Sequence, residues 1–118
     1  MNIRLAIDGT PVDATLNDSA AARDFAAQLP LTLNLTDFHQ AEKIADLPRR
    51  LSTSGAPDGA APRAGDFAYY APWGNLAVFY RGGSHATGLI IIGHMADSGI
   101  KQLSGADEVN VTIEEASR

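Results

Sequence analysis

Hydrophobic and polar residues alternate with a period of two along much of this chain. Ile3, Leu5 and Ile7 alternate with Asn2, Arg4 and Ala6, and after Asp8-Gly9 the pattern resumes at Val12, Ala14 and Leu16. A period of two gives each strand one row of side chains for a core, and Asp-Gly suits the twist of paired strands, so this stretch predicts a β-hairpin. Ala22, Phe25, Ala26 and Leu29 then recur at helical spacing, with Ser19 placed to cap and Pro30 placed to stop. They predict one helix of about three turns. Leu31, Leu33 and Leu35 face one way and Thr32, Asn34 and Thr36 the other, which restores a strand.

From His39 to Leu51 the alternation weakens, and Glu42 to Pro48 (EKIADLP) predicts a short strand halted at the proline. Ser52 to Gly65 (STSGAPDGAAPRAG) reads as a long loop, of a length that is usually functional or mobile inside a compact domain. A linker between two domains is the competing reading, but pieces of about 50 residues are small to stand alone. Ala64 to Arg81 (AGDFAYYAPWGNLAVFYR) predicts an aromatic hairpin whose tip, Pro72-Trp73-Gly74-Asn75, carries the only tryptophan. Leu89 to Ile92 is an apolar run expected to be buried on both faces, Asp97 to Leu103 a brief helix, and Val109, Val111 and Ile113 a closing strand. Seven or eight short strands with two helices predict a mostly β fold, a closed or nearly closed antiparallel barrel. An open α+β sheet with helices on one face is the alternative.

Composition narrows the function classes. The chain has 118 residues, enough for one domain with a continuous core, and a net charge of −5 with its nine Lys and Arg dispersed. A nucleic-acid backbone would be repelled on average, so no nucleic-acid partner is expected. Cysteine is absent, which removes thiol catalysis, cysteine metal sites and disulfides. No apolar run approaches the length of a membrane span or a signal-peptide core, so no membrane partner is expected and a cytoplasmic location is favoured.

The segments DSAAARDFAAQLPLTLNLTDF, EKIADLP, AGDFAYYAPWGNLAVFYR and LIIIGHM, in this order and spacing, resemble the small bacterial proteins described as having a cyclophilin-like fold. The resemblance spans nearly the whole chain. It implies a single domain over residues 1–118, an eight-stranded barrel with two helices, in a branch largely without an assigned activity. True cyclophilin prolyl isomerases carry an arginine on one strand and a Phe-Met-x-Gln pattern on a following strand. This sequence has no Phe-Met-x-Gln stretch, and neither Arg63 nor Arg81 sits in the matching motif, so no catalytic residue is carried over.

The candidate ligand-binding residues are Trp73, Tyr70, Arg81, Arg63 and His94. Trp73 is either a packing cap over the barrel mouth or an exposed platform for a ligand, and Tyr70 neighbours it on the flanking strand. Arg63 and Arg81 lie near the aromatic strands, and His94 follows the apolar run, where it could transfer a proton or bond to backbone. Glu42-Lys43, with Asp46 three residues on, could furnish an acid and a cation to a binding cleft, but adjacent strand residues point to opposite faces, so the pair reads as a solvated surface charge pair, and Arg49-Arg50 as a solvent-facing pair. His39, His85 and His94 match no metal-ligand spacing. Ser84-His85 lacks the geometry of a nucleophile and its base, and Gly82-Gly83-Ser84 lacks what a phosphate loop requires. The expectation is a binding module for a peptide or small metabolite near the aromatic hairpin, with no cofactor and no metal. A weak prolyl isomerase and a homodimeric assembly element are the alternatives.

Overall fold

The alternating stretches form strands, and eight of them close an antiparallel barrel in the computed structural model, which describes residues 1–116. In chain order the elements are β1 (Asn2–Ile7), β2 (Thr10–Leu16), α1 (Ala20–Ala26), β3 (Leu31–Phe38), β4 (Glu42–Asp46) and β5 (Gly59–Ala60). They continue with β6 (Asp66–Tyr70), β7 (Asn75–Phe79), β8 (Ala86–Thr87), β9 (Leu89–Met95), α2 (Asp97–Ser104) and β10 (Glu108–Glu115). Around the barrel the order is β1-β10-β3-β4-β7-β6-β9-β2, with β2 pairing back onto β1, while β5 and β8 form a separate two-stranded ribbon. Closure pairs every barrel strand on both sides and excludes the open sheet. Strands from both sides of the 52–65 segment share this one barrel, so the segment is not a linker.

Local chemistry accounts for the joints. Asp8 and Gly9 both take positive φ, 47° and 87°, with Ile7 paired to Thr10, which is the two-residue turn expected of Asp-Gly. Ser19 Oγ accepts the Ala22 N–H at 3.1 Å and starts α1. The helix is shorter than its spacing predicts. Gln28 and Leu29 donate to the carbonyls of Phe25 and Ala26, so the chain tightens into three-residue turns before Pro30. The long segment after Leu47 is pinned: Leu51 is buried and donates to Tyr69 Oη at 3.2 Å, Ser52 donates to Asp24 Oδ2 at 2.6 Å, and Asp58 accepts the Gly88 N–H. No helix among the described residues is long and apolar enough to cross a membrane.

The barrel is filled by its own inward row: Ile3, Leu5, Ile7, Val12, Leu35, Phe67, Tyr69, Leu76, Val78, Ile90, Ile92, Val111 and Ile113. Lys43 belongs to this row and is 1% exposed, so it is not part of a solvated surface group. Its Nζ lies 2.7 Å from Asp37 Oδ1, directly across the β3–β4 register, and 4.6 Å from the centre of the Tyr80 ring. Tyr80 Oη donates to the same carboxylate oxygen. Burial works to raise the Asp37 carboxyl, but the hydrogen bonds from Lys43, Tyr80 and the Gln40 backbone outweigh it and hold it below its ordinary value. Burial and the Asp37 contact push the Tyr80 phenol up to about 12.

Two outcomes follow for stability. Lys43→Ala strands Asp37 and Tyr80 at the barrel end; breaking a buried pair costs about 3–5 kcal/mol, and the partial exposure of Asp37 sets the expected loss near 3 kcal/mol in urea denaturation. A loss under about 1 kcal/mol would contradict that role. The Asp37 contribution is fully present above the ordinary carboxylate range and disappears as pH falls through its lowered value. Separately, β9 bulges against β6, and a Cβ at Gly93 would lie 2.4 Å from the Thr15 carbonyl oxygen on β2. Gly93→Ala is therefore expected to destabilise by about 1–3 kcal/mol, and an unchanged denaturation midpoint would count against this close approach.

Candidate functional site

The alternation that fills the barrel turns a second row outward. Glu42, Ile44 and Asp46 face out from β4, Asn75, Ala77 and Phe79 from β7, Ala68 and Tyr70 from β6, and Leu89 and Ile91 from β9. Ala68, Ala77, Phe79 and Leu89 are buried here as a second apolar cluster, with Ile44, Tyr70, Ile91 and Ala86 of the ribbon packed against it. The outside of the barrel is thus covered across four strands.

A cavity of about 470 Å³ opens between this face, the ribbon and its loops, and the tip of the β6–β7 hairpin. Its aromatic walls are Phe38, Tyr70, Trp73 and Phe79, and Pro62, Leu89 and Ala86 add apolar surface. Trp73 meets Phe38 edge-on at 5.4 Å and Tyr70 edge-on at 5.2 Å, yet stays 54% exposed. It stands as a half-open platform on the cavity rim and not as a cap over the barrel mouth. The tip that holds it is fixed by the Tyr70 carbonyl, which accepts from the Trp73 and Gly74 N–H groups, with Gly74 at φ 70°. Arg50 does not simply face solvent: its Nη1 donates to the Ala71 carbonyl at 2.9 Å and its guanidinium lies along Gly74.

The polar groups of the cavity are few. Glu42 pairs across the sheet with Phe38 on one side and Phe79 on the other, and none of the ion pairs among the described residues includes it. Burial, with the negative charge of Asp37 as a second cause, pushes its carboxyl up to about 7. Asn75 is 3% exposed and its Oδ1 has no hydrogen-bond partner. His39 and Gln40 follow Phe38 with φ 56° and 53°, a left-handed pair stabilised by Asp37 Oδ2 accepting the Gln40 N–H, and the His39 ring leans on Phe38 at 4.0 Å. His39 and Ser84 complete the polar lining.

Of the residues singled out in the sequence, Trp73 and Tyr70 line this cavity and the other three do not. Arg63 is exposed, and its backbone N–H donates to Asp66 Oδ2. Arg81 is exposed with its guanidinium 6.0 Å from the Tyr80 ring, beside the hollow at the Asp37 and Lys43 end of the barrel. His94 is tied by Nδ1 to the buried Asp66 at 3.0 Å. Phe38, His39 and Glu42 are lining residues that sequence reading did not place with the hairpin tip. Among the described residues no group of His, Asp and Glu could hold a metal ion.

A raised carboxyl has a definite sign. The Glu42 contribution to stability is fully present below its ordinary value of 4.5 and is lost as pH rises through about 7. Side-chain carbon shifts are expected to titrate with a midpoint near 7, and Glu42→Gln is expected to flatten stability between pH 5.5 and 8. A midpoint near 4.5 would mean that the cavity does not desolvate this group.

Comparison with known proteins bears on the barrel. A family model described as "Cyclophilin-like family" matches residues 5–114. The solution structure of the hypothetical protein AF2241 from Archaeoglobus fulgidus is similar, with a TM-score of 0.64 and 20% identity over 98% of this chain and 95% of that one. The structure of McbB in complex with tryptophan is similar with a TM-score of 0.57 and 14% identity, over 98% of this chain and 45% of that one. At these identities the likeness is one of fold. No curated protein sequence matches.

Proposed function

The chain belongs to the cyclophilin-like family, and from that premise we propose that it is a binding protein whose outer-face cavity takes a small molecule carrying a flat apolar ring. The observation that carries this reading is the convergence of Phe38, Tyr70, Trp73 and Phe79 on one opening with the half-buried Glu42 carboxylate. Its volume of about 470 Å³ lies within the range of ordinary ligand sites, roughly 300–1,000 Å³. Aromatic walls with a few polar groups are how such sites combine affinity with orientation. McbB, which shares the fold, has been seen with tryptophan, a small molecule of this shape; that is support by fold analogy only.

The other expectations gain less. A prolyl isomerase of this type would need a cation at the mouth of the cleft, and among the described residues no arginine lines the cavity. An assembly element would need a contiguous apolar patch, whereas among the described residues Trp73 and Met1 are the only large hydrophobic residues that stand exposed.

The test is a titration of isotopically labelled protein with indole, tryptophan and a short Ala-Pro peptide. Shifts are expected at Trp73, Tyr70 and Phe38 with at least one of the two ring compounds. Trp73→Ala and Tyr70→Ala are each expected to weaken that binding about fivefold to tenfold, the magnitude of a lost aromatic contact. Shifts confined to other faces, or none with any compound, would remove the reading. Faster cis/trans exchange of the peptide, lost in Arg81→Ala, would instead favour an isomerase.

A further inference from the structure

The charge pattern of the cavity is one-sided. Among the described residues no lysine or arginine lines it. Lys43, next in sequence to Glu42, is turned into the barrel and held by Asp37, and Arg50 is committed to the Ala71 carbonyl. What faces the opening is a half-buried carboxylate without an ion-pair partner, together with the π faces of the surrounding rings. An anionic ligand would meet only repulsion from Glu42 and Asp37. A cation gains both an ion pair and ring contacts, and these strengthen where water is partly excluded.

Glu42 pairs with Phe79 at one end and Asn75, beside the hairpin tip that carries Trp73, pairs with Tyr70 at the other, and four residues along β7 separate these rows by about 13 Å. The carboxylate and the outer rings therefore stand apart, which sets the charge and the length of the ligand, and the inference rests on the cavity reading above. The geometry points to a protonated arylalkylamine as the ligand class, its ammonium on the Glu42 carboxylate and its ring among Phe38, Tyr70 and Trp73.

Because the empty cavity pushes the Glu42 carboxyl up to about 7, binding an ammonium near neutrality must displace a proton. Affinity for the amine therefore rises as pH increases from 5.5 to 8. His39 also lines the cavity, its ring against Phe38. Asp37, held below its ordinary value, stays ionised throughout, and Lys43 faces the interior.

The experiment compares tyramine, phenethylamine and 3-(4-hydroxyphenyl)propionate on the full chain by calorimetry, with NMR shifts to locate each. At pH 8 tyramine and phenethylamine are each expected to bind at least about tenfold more tightly than the propionate. The gap between tyramine and the propionate is expected to narrow at pH 5.5 and to close in Glu42→Gln. The wild-type pH series needs no variant, so a folding defect in Glu42→Gln leaves the inference testable. If the propionate binds in the cavity as tightly as tyramine, or the gap is flat from pH 5.5 to 8, the amine assignment is overturned and the cavity reading stands. If none of the three shifts the cavity residues, the amine assignment falls. If indole and tryptophan also leave those residues unmoved, the cavity reading falls with it.

Discussion

An eight-stranded barrel encloses only about as much space as its own inward side chains fill, and that limit governs where a second molecule can sit on this protein. Leu5, Phe67, Tyr69, Leu76 and Ile92 occupy the interior with exposures of 1% or less. The one long polar chain admitted there, Lys43, is tolerated because Asp37 and Tyr80 meet its ammonium at the barrel end. With the inside closed, binding chemistry has to be built on the outward row. That row is solvated in many antiparallel sheets. Here the β5–β8 ribbon and the hairpin tip lie against it and turn a flat face into a cavity.

The division of charge follows from the same geometry. Consecutive residues on a strand point to opposite faces, so Glu42 and Lys43 cannot neutralise each other although they are neighbours in sequence. Lys43 is paired with Asp37 inside the barrel. Glu42 is left outside between Phe38 and Phe79, with Asp37 as its nearest electrostatic influence and of the same sign. Its high proton affinity is thus a consequence of strand alternation joined to an aromatic setting. No unusual backbone at Glu42 is required.

Most of the strands were legible because alternation is written locally, as in Ile3, Leu5 and Ile7 or Val109, Val111 and Ile113. The end of α1 was less so, because the last turn before Pro30 tightens for reasons of hydrogen bonding that composition does not display. Trp73 and Tyr70 could be singled out since a lone tryptophan at a Pro-Gly turn is conspicuous in sequence. In sequence Glu42 can be weighed as a cleft acid but reads as a surface charge, and Phe38 draws no attention, because what joins them to the hairpin is cross-strand register: Phe38 to Glu42 and Glu42 to Phe79. The arginines and His94 drew attention by residue type. Register and the Asp66 contact then place them elsewhere.

The barrel constraint acts on the inward half of the strand positions, and the similar structures at 14% and 20% identity share the fold with this chain. An outward residue that the fold does not need is therefore more informative than a shared strand order. Glu42 is such a residue. A β-branched or aromatic side chain between Phe38 and Phe79 would suit the strand and the apolar surroundings better, whereas a carboxylate there carries a desolvation penalty with no partner to offset it. Local rules broken without structural compensation tend to mark functional positions, and here the missing compensation is a positive charge of a size that the neighbouring cavity can hold.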